Sequence, residues 1–500
     1  MQKILSPDQT NKLDQQTIKK QFIRSDQLME RAAHQFVDAL PFNDFKDQPI
    51  IIIAGTGNNG GDALAIARLL IDKGLSPVIF FCRVSSHVSG DCQLNWDRLN
   101  QYQSSNLNEI IENQDPPSFH GIVIDGLFGS GLNRSIEGYW ATLIEKINQE
   151  AERIFSIDIP SGFFADKQTT STHILNAEVI TFDSPKLTFL LPDSQKSINS
   201  FKVVDINLDL DSKANLNTPH TYITQKGIQN ILKRRDKFSH KGTYGKVCII
   251  GGTDTMTGGV TLAGKAALST GCGYVFYKVP IEKGDTVLSQ HMEGILLQDN
   301  LFTTLPNQNQ SKFDKYTFGI GCAMGTTQPT NNLLLTFLAR HKHPYVLDAD
   351  ALNIIAKKGL DKQALCPMSI LTPHQKEFIR LAGESENSFT QLDLAKKIAM
   401  TYQVYICLKG PHTIIACPDG TCYFNSTGNP GMAVAGSGDV LTGMITSFLA
   451  QGYSSKESAI LAVYLHGYAG NLIDKAKGQY GLTASDIIDY IPQAINEHLC

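Results

Sequence analysis

Asp439 follows Gly436-Ser437-Gly438 directly in the stretch NPGMAVAGSGDVLTG, at the head of a run with helically spaced apolar residues: Leu441, Met444, Ile445, Phe448 and Leu449. Gly452 reads as the stop of that helix. A glycine-rich loop opening a helix offers an anion its backbone N–H groups and the positive end of the helix dipole. A carboxylate beside such a loop has a use in phosphoryl transfer, where the loop holds phosphates and an adjacent base takes the proton of the attacking hydroxyl. The plainer role, complementing the dipole, is worth about 0.3–1 kcal/mol and does not account for a run so depleted of side chains.

A second set of candidates lies near the N-terminus. GTGNNGGD places Gly55-x-Gly57-x-x-Gly60 after an apolar strand and before a helix, which matches a dinucleotide-binding fingerprint. The confirming acid at the end of the next strand is absent; Arg83 stands there, which leaves a phosphate-preferring nicotinamide dehydrogenase as a rival reading. That fingerprint does not require Asn58, Asn59 or Asp62, which could serve as turn residues and a first-turn acid. Asp125, the glycine-rich loop 129–135, Asp158 and Ser161 also fall at strand ends. Three strand ends that each present oxygen ligands or a glycine loop point to one site. GVTLAGKA (Gly259 to Ala266) nearly spells a Walker phosphate loop, but Ala266 replaces the required hydroxyl and the apolar spacing is helical.

The elements that must position these residues form two α/β blocks. In the first, apolar strand-like runs occur near Pro49–Ala54, Pro77–Cys82, Gly121–Ile124, Ile154–Ile157 and Val179–Phe182, with helical patterns at Asp62–Lys73 and Glu137–Glu150. Continuous apolar strands suit a parallel sheet buried on both faces. Residues 207–221 are polar, turn-rich and aperiodic, so the boundary is placed there: one domain over 1–212, the other over 220–500. The second block alternates strand and helix from GKVCIIGG onward.

At 500 residues, with 42% hydrophobic and 18% charged residues, the chain suits a globular protein of two domains. A net charge of −4 provides no basic footprint for nucleic acid or anionic membrane. No C-x-x-C or H-E-x-x-H spacing occurs, and ten dispersed cysteines suit a reducing compartment. No run has signal-peptide or membrane-span character, so a cytoplasmic location is expected.

GTGNNGGD, DGLFGSGL and SIDIPSG, in that order, with the opening ILSPDQTNKLDQQTI and LMERAA, resemble the NAD(P)HX epimerase family. The resemblance covers residues 1 to 210. It implies a Rossmann-like fold that equilibrates the R and S epimers at the 6-hydroxyl of hydrated NADH or NADPH. By that resemblance Asn58, Asn59, Gly60, Gly61, Asp62, Gly129, Ser130, Gly131, Leu132, Asn133, Arg134, Ser135 and Asp158 would contact substrate. Asn59, Asp125 and Ser161 would hold a potassium ion, for which an oxygen-only set is chemically apt. Asp158 is the candidate acid/base, because inversion requires only proton transfers that open and reclose the hemiaminal-like centre. The family's glycine after Asp62 is Ala63 here.

SHKGTYGKVCIIGG, GIGCAMGT, VLDADALN, LTPHQKEFIRL, LKGPHT and GNPGMAVAGSGDVLTG resemble the ADP-dependent NAD(P)HX dehydratases, which have a ribokinase-like fold, over residues 220 to 500. The resemblance implies that Lys409, Gly410, Pro411, His412, Thr413 and Gly438 bind the adenine nucleotide, and that Gly259, Gly321, His374 and Asp439 bind hydrated nicotinamide. Asp439 is the implied base and Mg2+ the implied companion of ADP. Read singly, His374 could be a turn residue, KGPHT a hairpin turn, and Asp348 and Asp350 helix caps; the last two are taken as structural. Gln375-Lys376 replace the family's Pro-Gly, and Gly259 stands where alanine is expected, so only its backbone can serve. Small molecules are the expected partners, with self-association left open. The rival reading is a ribokinase-like vitamin-alcohol kinase fused to a non-catalytic Rossmann-like module.

Overall fold

The computed structural model describes residues 1–45, 48–102, 106–297, 314–359 and 365–499. The chain divides into two compact units, 3–218 and 219–500, with Met1 and Gln2 counted in the second. No helix among the described residues is long and apolar enough to cross a membrane.

The first unit is built on seven parallel strands in the spatial order Leu107–Ile110, Val78–Cys82, Ile50–Ala54, Gly121–Gly126, Ala151–Ile157, Ala177–Phe182 and Ile198–Val204. Ile50–Ala54 and Gly121–Gly126 are buried at every position, so they read as continuous apolar runs. The two edge strands escape a sequence reading because they are half exposed and carry no such run. Chain order reverses between Ile50–Ala54 and Gly121–Gly126, which is the Rossmann-like switch point where open α/β sheets bind ligands. The aperiodic segment near 207–221 differs from expectation. It contains the short helix Leu210–Asn215, whose N-cap Asp209 accepts from Ser212 N.

In the second unit Tyr405–Leu408, Ile370–Leu371, Val346–Leu347, Thr317–Ile320, Lys246–Ile250, Tyr274–Lys278 and Ile295–Leu296 run parallel in that spatial order. An antiparallel extension, Ile414–Ala416 and Cys422–Phe424, follows Tyr405–Leu408. The order reverses between Lys246–Ile250 and Thr317–Ile320. The Walker-like stretch lies inside helix Gly258–Thr270, and the helix headed by the glycine loop is Ser437–Ala450.

Those two helices pack at backbone contact. A Cβ on Gly443 would fall 2.0 Å from the Ala263 carbonyl oxygen, whereas one on Gly258 would meet nothing within 4 Å. Gly443→Ala is therefore expected to lower unfolding stability by about 1–3 kcal/mol in chemical denaturation. Gly258→Ala is the control that leaves it unchanged or raised, and equal midpoints would contradict this packing.

Candidate functional site

A cavity of about 550 Å3 opens at the first switch point. Asn58, Asn59, Asp62, the 129–132 part of the second glycine loop and Asp158 line it, as do Asp14 and Lys186, which sequence reasoning did not single out. Asn133, Arg134 and Ser135 are exposed and outside that lining. Gly60 and Gly61 are buried behind the loop. A Cβ on Gly60 would fall 1.8 Å from the Gly55 carbonyl oxygen, and one on Gly61 would strike the Met29 side chain.

Asp158 has φ 63°, a left-handed backbone that costs a non-glycine residue energy and concentrates at functional sites. Its Oδ1 accepts from Lys186 Nζ at 2.7 Å, Thr181 Oγ1 at 3.0 Å and Phe182 N at 3.1 Å. Asp62 lies past the first turn of helix Asn58–Asp72, so it is not the first-turn acid its position suggested, and it is pushed well above the usual carboxyl range by burial and then by Asp158, Asp14 and Asp91.

Asn59 and Ser161 meet at the Phe128 backbone, and Ser161 ties Asp125 to them. Asn59 Nδ2 donates to Phe128 O at 3.0 Å, and Phe128 N donates to Ser161 Oγ at 2.8 Å. Asp125 is 1% exposed, and its partners are all neutral: Ser156 Oγ, Ser161 N and Oγ, and Leu127 N. Burial pushes its carboxyl above the ordinary value. An all-oxygen set around a buried acid with no cationic partner among the described residues is chemically suited to a hard monovalent cation.

At the second switch point Asp439 sits in the first turn of Ser437–Ala450, whose N-terminus has no side-chain cap. Burial, with the Asp348 charge adding and the Cys322 thiol and Lys409 opposing, pushes Asp439 up to about 6. The glycine at 259 acquires a reason, since a Cβ there would fall 2.9 Å from Asp439 Oδ2. Gly321 has φ 124°, and a Cβ on it would fall 1.9 Å from the Asp348 carbonyl oxygen.

Taking Asp348 as a plain helix cap requires correction. It heads helix Ala349–Lys358 but makes no capping bond. Instead Oδ1 accepts from Lys409 Nζ at 2.8 Å and Oδ2 from Thr442 Oγ1 at 2.8 Å. Asp350 does not cap the helix either: its Oδ2 accepts from Gly325 N at 2.8 Å, 25 residues away. Burial depresses the Lys409 ammonium, but Asp348 outweighs it, so the group sits above its ordinary value. A Cβ on Gly438 would lie 3.3 Å from Lys409 Nζ, so the glycine loop and the lysine face one another.

Gly410, Pro411, His412 and Thr413 form the turn between Tyr405–Leu408 and Ile414–Ala416, with His412 Nδ1 2.9 Å from Asn425 O. His374 is the N-cap of Gln375–Ala382: Nδ1 accepts from Lys376 N and Glu377 N while its own N–H donates to Glu377 Oε2. Its position bridges to Lys409, and its side chain is 49% exposed. His466, also missed, places Nε2 3.5 Å from Ser437 Oγ and is lowered to about 4 by burial. Asp348 alone among the missed residues carried a signal, an acid at a strand end like Asp125.

Among the described residues no cluster of three His, Cys, Asp or Glu side chains could hold a metal. A Mg2+ carried by nucleotide phosphates keeps its waters and needs no such cage. Both units thus set a glycine loop and buried carboxylates at a switch point, the layout of a nucleotide-handling α/β enzyme.

Comparison with known proteins agrees. The model described as YjeF-related protein N-terminus matches residues 25–188, and that described as NAD(P)H-hydrate dehydratase matches 247–493. The bifunctional NAD(P)H-hydrate repair enzyme of Moorella thermoacetica is 32% identical, with 98% of this chain and 96% of that protein covered. A ribokinase-like superfamily protein from Enterococcus faecalis V583 shares the second unit's fold at TM-score 0.50 and 24% identity, covering 57% of this chain and 99% of that one. An ADP/ATP-dependent NAD(P)H-hydrate dehydratase from Bacillus subtilis, co-crystallised with ATP/Mg2+, is 30% identical at TM-score 0.49, covering 56% and 98%. The chain belongs to the family of bifunctional NAD(P)H-hydrate repair enzymes.

Asp348 is 2% exposed, so losing its ammonium partner strands a buried charge. Lys409→Met is expected to cost about 3–5 kcal/mol in denaturant unfolding, with Asp348→Asn added to it restoring part. An unchanged midpoint in the single variant would contradict the pairing.

Proposed function

We propose that this chain repairs hydrated nicotinamide dinucleotides. The first unit interconverts R- and S-NAD(P)HX, and the second dehydrates the S epimer at the expense of ADP. The full-length likeness to a bifunctional repair enzyme carries this reading, and the buried acid at the head of the glycine loop supports it.

Asp439 accepts the proton of the 6-hydroxyl as that oxygen attacks the terminal phosphorus of ADP and AMP leaves. Lys409, the N–H groups at Gly438 and the 410–413 turn hold the nucleotide, while Gly259, Gly321 and His374 border the hydrated ring. The ring nitrogen then expels phosphate from C6 and a proton leaves C5, which restores the dihydropyridine. Phosphorylation matters because hydroxide is a poor leaving group and phosphate a good one. Mg2+ bound with ADP would neutralise phosphate charge. Asn59, Asp125 and Ser161 would hold K+ in the first unit, and Asp158 moves protons at the hydrated ring there.

Asp439 must be ionised to accept a proton. With S-NADHX and saturating ADP and Mg2+, kcat/KM is expected to fall about tenfold per pH unit below about 6 and to be flat above it. Asp439→Asn is expected to lose about 10²–10⁴-fold in the rate of NADH absorbance recovery. A stable phosphorylated product without that recovery would instead favour a kinase, and full activity of the variant would sink the proposed base.

A further inference from the structure

Asp14 stands on helix Pro7–Gln21 and lines the first unit's cavity with Asp62, Asp158 and Lys186. Its Oδ1 is buried and has no hydrogen-bond partner among the described residues. A buried carboxylate oxygen without a donor is costly unless it carries a proton or meets a ligand. The groups facing it are Asp158, ion-paired to Lys186, Asp183, ion-paired to Lys213 at 2.8 Å, and Asp62. Neither lysine hydrogen-bonds Asp14 Oδ1. Burial, then the Asp158 charge, push Asp14 up to about 7, with Lys186 opposing and Asp183 adding. Two carboxyl groups in one cavity with opposed surroundings, one ion-paired and one desolvated, are the arrangement that divides acid from base.

We propose that Asp14 is the catalytic acid working opposite Asp158 in epimerisation of the hydrated ring. The proposal rests on the epimerase reading of the first unit. Asp158 takes the proton of the 6-hydroxyl as the C6–N1 bond breaks and C6=O forms. The electron pair released to N1 takes the proton of Asp14. Rotation about C5–C6 presents the opposite carbonyl face. N1 then attacks C6 and returns its proton to Asp14, while the oxygen recovers its proton from Asp158. Nothing is oxidised or reduced, and neither water nor nucleotide is consumed.

The test follows interconversion of separated R- and S-NADHX by chromatography with the full chain, Asp14→Asn and Asp14→Glu. Asp14→Asn is expected to lose about 10²–10⁴-fold in epimerisation kcat, while R-NADHX affinity stays within about threefold. ADP-dependent dehydration of S-NADHX by the same variant should be unchanged, which reports on the second unit, while the retained R-NADHX affinity shows that the first is folded. Asp14→Glu should recover part of the lost kcat, which a merely structural role would not require. The wild-type rate should decline above about pH 7, and Asp14→Asn should lack that limb. If the full chain interconverts the epimers and Asp14→Asn does so within about threefold, the acid role is overturned and the epimerase reading survives. If the full chain does not interconvert them, that reading falls and Asp14's role with it.

Discussion

Both sites depend on a backbone approach that only glycine permits. At the first switch point a Cβ on Gly55 would fall 2.0 Å from the Leu127 carbonyl oxygen, and at the second a Cβ on Gly251 would fall 2.1 Å from that of Cys322. In each unit the missing side chain lets the loop leaving one central strand lie against the loop leaving its neighbour. Short ladder-like bonds continue past the strand ends, Gly55 N to Gly126 O at 3.1 Å and Gly252 N to Cys322 O at 3.0 Å. The first contact sets the Asn58–Asp62 turn beside Phe128 and Gly129. The second sets the 321–325 loop beside Asp439.

Around these contacts the two units manage buried carboxylates by the same means. One acid in each is tied to a lysine: Asp158 to Lys186, and Asp348 to Lys409. A neighbouring acid is left to burial: Asp14 in the first unit and Asp439 in the second. Pairing holds one charge in place, while desolvation tunes the other toward neutral pH, where a proton can be exchanged in either direction. Cys322, itself buried with its thiol raised well above the ordinary value, contacts Asp439 from the switch-point loop and joins the two features.

Much of this was legible in the sequence because it is local. Apolar runs marked the central strands, and glycine spacing marked both loops. Asp125, Asp158 and Asp439 stood out because each ends a strand, follows one or heads a helix. What escaped is non-local. VLDADALN looks like a cap, yet Asp348 turns to a lysine 61 residues away. Asp14 belongs to an amphipathic helical pattern, and nothing near it in sequence shows that it meets Asp158 and Lys186. Gly259 read as a departure from the family, whereas its meaning lies in the Asp439 carboxylate that fills the space of its absent Cβ. Half-exposed edge strands left too weak a pattern to be read.

One chain carries two complementary activities on one pool of substrate, since spontaneous hydration yields both epimers and the second unit acts on one. The direct measurement is the amplitude of reduced-nicotinamide absorbance regained from an NADHX epimer mixture by the purified chain with ADP, Mg2+ and K+. Complete, ADP-dependent recovery is the expected result. Recovery that halts near half, at the limit imposed by a single epimer, would contradict it.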